Sequence, residues 1–464
     1  MKKFLLIGWI LLSTAISAFS QTTLTGLHVE KGKRFISQSN GQPFFWLADT
    51  AWELFHRLTF EEAQNYLKIR AGQGYNVIQA VAIAEFDGLN QANRNGDKPL
   101  FNNDPVKPNE KYFKHLDKVI AEAGKLGLYI GLLPAWGDKF NRKWGGGPEI
   151  FTPENALIYT EFLAKRYKGK NVIWILGGDR NPETEKHIAI VHAMAQGIRN
   201  ISGESQLITY HPQGLSYSSR FFHEAPWLNM NMFQSGHDQR DRKNYLMLRN
   251  DYDKSPVKPT LDAEPRYEDH PVNWKSELGY FNDFDVRQAA YWSVLSGACG
   301  HTYGCHDIWQ MYDPDLNPPI AFARTAWKTA VHLPGASQMG FMKKLMESHP
   351  WQELQPDTSL ILNDNPENAG FQIAALSAAR DFMMAYSPYG RTLKIDLSKF
   401  KAQDLIAYWF NPRDGSSIKI GSFKNQGAEE FKPYAQGPGT DWVLVIDDTT
   451  QSWAGFGLKK QREK

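Results

Sequence analysis

The stretch Asn171–Pro182, NVIWILGGDRNP, decides the fold. Its apolar run Val172–Leu176 suits a strand buried on both faces, yet it breaks at Gly177-Gly178 and delivers Asp179 and Arg180. The same grammar recurs on either side. FFWLADTAW (44–52) ends an apolar run near Asp49, and TFEEAQNYLKIRAGQG follows with a helical spacing, a Thr59 start signal and a glycine stop at Gly74. YNVIQAVAI with FKHLDKVIAEAGKLG, and LYIGLLPAW with TPENALIYTEFLAKRYKG, repeat the pair. After NVIWILGGDRNP comes the helical EKHIAIVHAMAQGIRNIS, then the strands QLITYHP, WLNMNMFQSG and KPTLDAEPR, and finally DVRQAAYWSVLSGA leading into GHTYGCHDIW.

Eight strand runs, most followed by a helix, predict a (β/α)8 TIM barrel over residues 24–345, and no glycine-rich dinucleotide fingerprint follows the first strand. Beyond it, short strands at close spacing (QIAALSAAR, DFMMAYSPYG, LKIDLS, LIAYWFNPRDG, SSIKIGSF, DWVLVIDD, with SLILND before them) predict a small antiparallel β-sandwich over residues 350–464. The chain of 464 residues has room for both. Its start, MKKFLLIGWILLSTAISAFSQ, pairs Lys2-Lys3 with an apolar run and small residues at Ala18 and Ser20, which predicts a signal peptide over residues 1–20 and export to the periplasm or cell surface.

Composition narrows the partners. With 52 basic and 50 acidic residues and no interior basic block, nucleic acid is not an expected partner. No later stretch approaches the roughly 20 apolar residues of a membrane span. Cys299 and Cys305 are too far apart for a disulfide if GHTYG between them is extended, so both are expected as buried thiols.

In a TIM barrel the chemistry sits just past the strand ends. Reading those positions gives Asp49, Glu85, Trp136, Asp179, His211, Gln234 and Glu264, with His301, Tyr303 and His306 in the last strand. Asp179 and Glu264 follow the fourth and seventh strands and would face one another across the mouth. Two such carboxyls suit glycoside hydrolysis, in which one protonates the leaving oxygen and the other meets the anomeric carbon. Burial would raise Asp179, and Arg266 would keep Glu264 ionised. Taken alone, Asp179 also reads as a salt-bridge partner of Arg180 and as the cap of a helix near Pro182. Asp262 competes with Glu264: with Leu261 and Ala263 facing the helices, both acids point inward. Asp49, Glu85 and His211 can bond sugar hydroxyls, and Trp46, Trp52, Trp136, Trp144, Trp292 and Trp309 offer stacking faces. His301, Cys305, His306 and Asp307 invite a metal reading, but alternation separates them, so no metal and no cofactor is expected; His301 and Tyr303 fit substrate contacts better.

These segments resemble the apiosidase-like family, glycoside hydrolase family 140, in FFWLADTAWELFHRLT, GYNVIQAV, NVIWILGGDRNP, LDAEPRYED and RQAAYWSVLSGACGHTYG. The C-terminal part, with FKPYAQGPGTDWVLVIDD, resembles a collagen-binding-type β-sandwich. The resemblance implies a retaining barrel glycosidase acting on apiose in rhamnogalacturonan-II, a plant cell-wall pectin, with the acid/base falling on Asp179 and the nucleophile on Glu264. The wider clan carries Asn-Glu after strand four where this chain has Gly178-Asp179. Another plant-polysaccharide exo-glycosidase or arabinosidase, and a non-catalytic carbohydrate- or matrix-binding protein, remain open readings.

Overall fold

The strand that NVIWILGGDRNP predicts runs over Val172–Gly177 (β4), every residue of it buried. The computed structural model describes residues 24–451 and 453; the predicted signal peptide lies outside them. The other barrel strands are β1 (Trp46–Thr50), β2 (Val77–Val81), β3 (Tyr129–Leu133), β5 (Ile208–His211), β6 (Asn231–Gln234), β7 (Thr260–Asp262) and β8 (Gly300–Tyr303). Six form one parallel sheet in the order β8-β1-β2-β3-β4-β5, and β6 and β7 form a parallel pair. Ser216–Tyr217 pairs antiparallel with β6. The two arcs close through Asn229 N–H to Ile208 O (2.9 Å) and Cys299 N–H to Thr260 O (3.0 Å).

Helices α1 (Phe60–Gly72), α2 (Glu110–Lys125), α3 (Pro153–Tyr167) and α4 (Glu185–Ser202) follow the first four strands. Their starts are set by side chains: Thr59 and Glu62 cap α1 reciprocally, Thr152 and Asn155 do the same for α3, and Thr184 caps α4. Asp179 is therefore no helix cap. Further along lie α5 (Asn244–Tyr252), α6 (Asp283–Val294) and α7 (Pro334–Glu347). Among the described residues no helix is long and apolar enough to cross a membrane.

Strand faces divide cleanly. Ala48, Val77, Val81, Ile173, Ile175, Met232, Leu261 and Ala263 fill the barrel interior, whereas Leu47, Ile78, Ile130, Trp174, Leu176 and Tyr210 pack against the helices. This corrects the predicted phase of β7. Leu261 and Ala263 face inward, and Asp262 points to the helical layer, accepting from Ser235 Oγ (2.7 Å) and Asn244 Nδ2 (3.1 Å).

The second body is built from β9 (Leu354–Pro356), β10 (Ile373–Ser377), β11 (Phe382–Ser387), β12 (Leu393–Asp396), β13 (Asp404–Asn411), β14 (Ser416–Lys424), β15 (Ala428–Phe431) and β16 (Trp442–Asp448). A six-stranded sheet, β9-β10-β11-β16-β13-β14, faces the β12-β15 pair. Two elements differ from expectation. SLILND forms a 3-10 turn at Thr358–Leu360, and its only ladder contact among the described residues is the isolated Ile361–Ile395 bridge. Strands β9 and β15 are short and half-polar, so their sequences carry little alternation.

The central strands β10, β11 and β16 of the large sheet are apolar on both sides because both are covered. Met383, Ala385, Leu444 and Ile446 meet the small sheet, while Met384, Tyr386, Val443 and Val445 join the core shared with the barrel helices. At that junction Arg287 of α6 grips Asp441 with Nε and NH2 at 2.9 and 2.8 Å, both side chains being buried. Tyr291 stacks on Tyr386 at 4.8 Å, and Trp292 donates to Phe371 O at 2.9 Å. Removing one partner of a buried pair strands the other charge. Arg287→Ala should therefore cost about 3–5 kcal/mol in denaturant unfolding, and the double replacement Arg287→Met with Asp441→Leu should recover part of that loss.

Candidate active site

β4 ends in a sharp elbow. Gly177 (φ 90°), Gly178 (φ 101°) and Asp179 (φ 53°) are successive left-handed residues. A Cβ on Gly178 would lie 3.0 Å from Gly137 N and 3.1 Å from both Leu133 and Trp136 side chains. Glycine is thus required before the acid, which itself tolerates this backbone region. The elbow turns Asp179 into the barrel mouth, where Arg180 NH1 meets its Oδ2 at 3.0 Å. Arg180 is itself fully buried and also donates to Asn141 O at 3.0 Å.

Glu264 reaches the same cleft from two residues past β7. Ala263 N–H to Phe233 O (2.8 Å), Gly236 N–H to Glu264 O (3.0 Å) and Gln79 Nε2 to Ala263 O (3.1 Å) fix its backbone. His237 Nε2 donates to Oε1 at 3.1 Å, and His211 Nε2 lies 3.2 Å from Oε2. Burial would raise the Glu264 carboxyl, but the hydrogen bonds and charge of His211 and His237 outweigh it and take the carboxyl down to about 2. Asp179 goes the other way, to about 6, through burial and the nearby Glu264 charge, against the pull of Arg180, His211 and Gln234. One cleft thus holds an ionised and a protonatable carboxyl, a pairing that can deliver a proton and an anion to one bond.

The cleft measures about 550 Å³, within the size range of small-ligand sites. Trp52, Glu85, Trp136 and Gln234 line it with the two acids, as do Trp144 and Trp309. Burial and the Asp179 charge hold Glu85 well above the usual carboxylate range. Trp52 donates to Tyr267 Oη at 3.3 Å and packs edge-on to His211 at 5.5 Å. His211 stands behind Glu264 rather than at the cleft surface.

Other expectations need correction. Register places Leu47 beside His301 and Asp49 beside Tyr303, all on the helix-facing side of β1 and β8. Asp49 accepts from Tyr66 Oη and Arg70 Nε, each at 2.5 Å. Tyr303 donates to Glu268 at 2.6 Å. His301 is buried, which with the Arg266 charge takes it down to about 3. None of the three lines the cleft, because strands apolar on both faces carry no sequence mark of which face looks inward. Trp46 is sealed in the barrel interior and Trp292 in the junction with the second body. Arg266 does not pair with Glu264; it donates to Gln288 Oε1 at 2.9 Å.

His237, His270 and Trp274 line the cleft without having been singled out in the sequence. His237 and His270 pack with ring centroids 4.4 Å apart and planes tilted by 32°, and Trp274 stands edge-on to His270 at 4.4 Å. His237 lies three residues past the Gln234 strand end, in the zone where barrel chemistry collects, so strand-end reading extended by one turn finds it. His270 and Trp274 sit in the long connection after β7, which has no periodicity to mark them.

Among the described residues no cluster of His, Cys, Asp and Glu can hold a metal ion. His306 Nε2 donates to Ala321 O at 2.9 Å, and Asp307 accepts from the Arg324 and Thr325 amides. Cys299 and Cys305 are free and buried.

A TIM barrel with two carboxyls, one shifted up and one shifted down, at the ends of β4 and β7 defines a glycosidase-type site, and comparison with known proteins agrees. Residues 30–353 match the family described as "Apiosidase-like, catalytic domain", and residues 355–447 match the "Putative collagen-binding domain of a collagenase". The chain belongs to the apiosidase-like family, and it is a glycoside hydrolase whose substrate is a carbohydrate. One similar solved structure, described as a glycoside hydrolase, is 33% identical with a TM-score of 0.84, covering 93% of this chain and 98% of its own. A glycoside hydrolase family 5 structure from Bacteroides vulgatus ATCC 8482 is 31% identical with a TM-score of 0.86, covering 94% and 96%. No curated protein matches the chain.

Proposed function

We propose that the protein is a retaining glycosidase that cleaves apiosyl linkages of rhamnogalacturonan-II side chains, with Glu264 as nucleophile and Asp179 as acid/base. The observation that carries the chemistry is the opposite shift of these two carboxyls in one cleft, Asp179 up to about 6 and Glu264 down to about 2. Glu264, held ionised by His211 and His237, attacks the anomeric carbon while the Asp179 proton passes to the departing glycosidic oxygen. A glycosyl ester on Glu264 results. Asp179, now a carboxylate, takes a proton from water as that water attacks the anomeric carbon, and Glu264 leaves with its electron pair. Glu85, whose carboxyl burial holds well above the usual carboxylate range, hydrogen-bonds a sugar hydroxyl, and Trp52 and Trp136 supply apolar faces for the ring.

The apiosyl and pectic parts of the proposal rest on membership of the apiosidase-like family. Export rests on the charged, then apolar, then small-residue order of MKKFLLIGWILLSTAISAFSQ. Incubated with rhamnogalacturonan-II oligosaccharides, the wild type should release free apiose, detected chromatographically, and Glu264→Gln should release none while unfolding at an unchanged temperature. Release of a different sugar would replace the apiosyl assignment, and wild-type turnover by Glu264→Gln would remove the nucleophile.

The pH dependence has a fixed sign. Asp179 must be protonated, so kcat/KM should decline as pH rises through about 6. Glu264 must be ionised, so the acid limb should appear only near pH 2, if the fold persists there. The two values belong to the pair, and Glu264→Gln should lower the Asp179 value by removing its neighbouring charge, as carboxyl-selective NMR would read.

A further inference from the structure

Two exposed tryptophans stand at the cleft rim, Trp144 beside Arg180 and Trp274 beside His237 and His270. Trp144 is 60% exposed and Trp274 50% exposed, and both line the cleft. Leaving a whole indole in water forgoes a large burial gain. Each is nevertheless held in place. Trp274 occupies a left-handed backbone (φ 61°) after the equally left-handed Asn273 (φ 53°), a strained arrangement of the kind found at functional sites. Its neighbours are His237 and His270, on the Glu264 side.

Trp144 belongs to the other side. The Arg180 guanidinium lies 4.3 Å from its ring centroid, and the same guanidinium holds Asp179. Its loop is anchored from beneath. Gly147 N–H donates to the buried Asp138 at 2.8 Å, and Arg142 N–H donates to Glu149 at 2.9 Å. A Cβ on Gly145 would fall 2.3 Å from Asp138 Cβ, so the chain passes as close to that anchor as glycine allows. Lys143 Nζ ties the loop to Gln213 at 2.7 Å, beside the exposed Leu215 that continues the rim.

We infer that Trp144 is the platform on which the leaving sugar chain stacks, making the enzyme selective for an extended saccharide beyond the bond it cleaves. The inference rests on Asp179 as proton donor: the donated proton goes to the leaving oxygen, so the chain attached through that oxygen lies on the Asp179 side, where Trp144 stands. Trp274, on the Glu264 side, serves the sugar that is transferred. Arg180 links the two tasks, one face of its guanidinium on the Trp144 ring and one nitrogen on Asp179.

A pair of substrates separates these roles. A glycosyl fluoride has a leaving group too small to reach Trp144 and needs no protonation, whereas the oligosaccharide needs both. The sugar used is the one the wild type accepts, with apiosyl fluoride tried first; its rejection would fail the apiosyl reading alone. Trp144→Ala should lower the ratio of oligosaccharide to fluoride kcat/KM by about tenfold or more. Trp144→Leu, which keeps apolar bulk without a flat face, should do the same, and Trp144→Phe should restore much of the ratio. Trp274→Ala should depress both substrates together. A ratio unchanged in Trp144→Ala and Trp144→Leu would overturn the inference. Failure of Asp179→Ala to release a first equivalent of fluoride rapidly, before the slow hydrolysis of the ester, would instead fail the proton-donor assignment.

Discussion

A carboxylate buried at the mouth of a barrel stays charged only if donors replace the water it has lost. Here the imidazole just past β6 donates to one oxygen of Glu264, and the imidazole at the end of β5 lies 3.2 Å from the other, both converging on Glu264 just past β7. Three neighbouring strands therefore have to end at matching heights for one charge to survive. That charge in turn acts on Asp179 and favours its protonated form. Both protonation states of the cleft follow from a single cluster, and the glycine elbow of β4 serves to bring Asp179 within its field.

The second body bears on this cluster through α6. Arg266, two residues past Glu264, donates to Gln288 of α6, and Gln288 donates to Ala369 O of the second body at 2.6 Å. The adjacent Arg287 grips Asp441. The segment that carries Glu264 is thus backed by a helix that is itself clamped, and the six-stranded sheet packs against that helix. Its central strands β10, β11 and β16 read as apolar on both faces for this reason.

The eight strands were legible because each apolar run is punctuated by glycine, proline or acid at its end, a pattern that survives without any knowledge of contacts. Which face of a strand looks inward was not legible. Asp49, Asp262, His301 and Tyr303 all point to the helical layer, where Arg70, Asn244 and Glu268 meet three of them, and no alternation of polar and apolar residues marks that side. Glu264 was legible as a strand-end acid, but its partners were not: the nearest cation in sequence, Arg266, turns away, and the imidazoles come from 27 and 53 residues upstream. The elbow was visible as Gly-Gly-Asp, and its meaning became clear only with three successive positive φ angles.

The most direct measurement is the site of covalent attachment. Asp179→Ala incubated with the glycosyl fluoride of the accepted sugar should form the Glu264 ester readily, since fluoride leaves without a proton, and should hydrolyse it slowly for want of a base. Peptide-level mass spectrometry of the quenched protein is expected to find one glycosyl unit on Glu264. A glycosyl unit on Glu85 or Asp262, or turnover with inverted configuration and no attached sugar, would contradict the account.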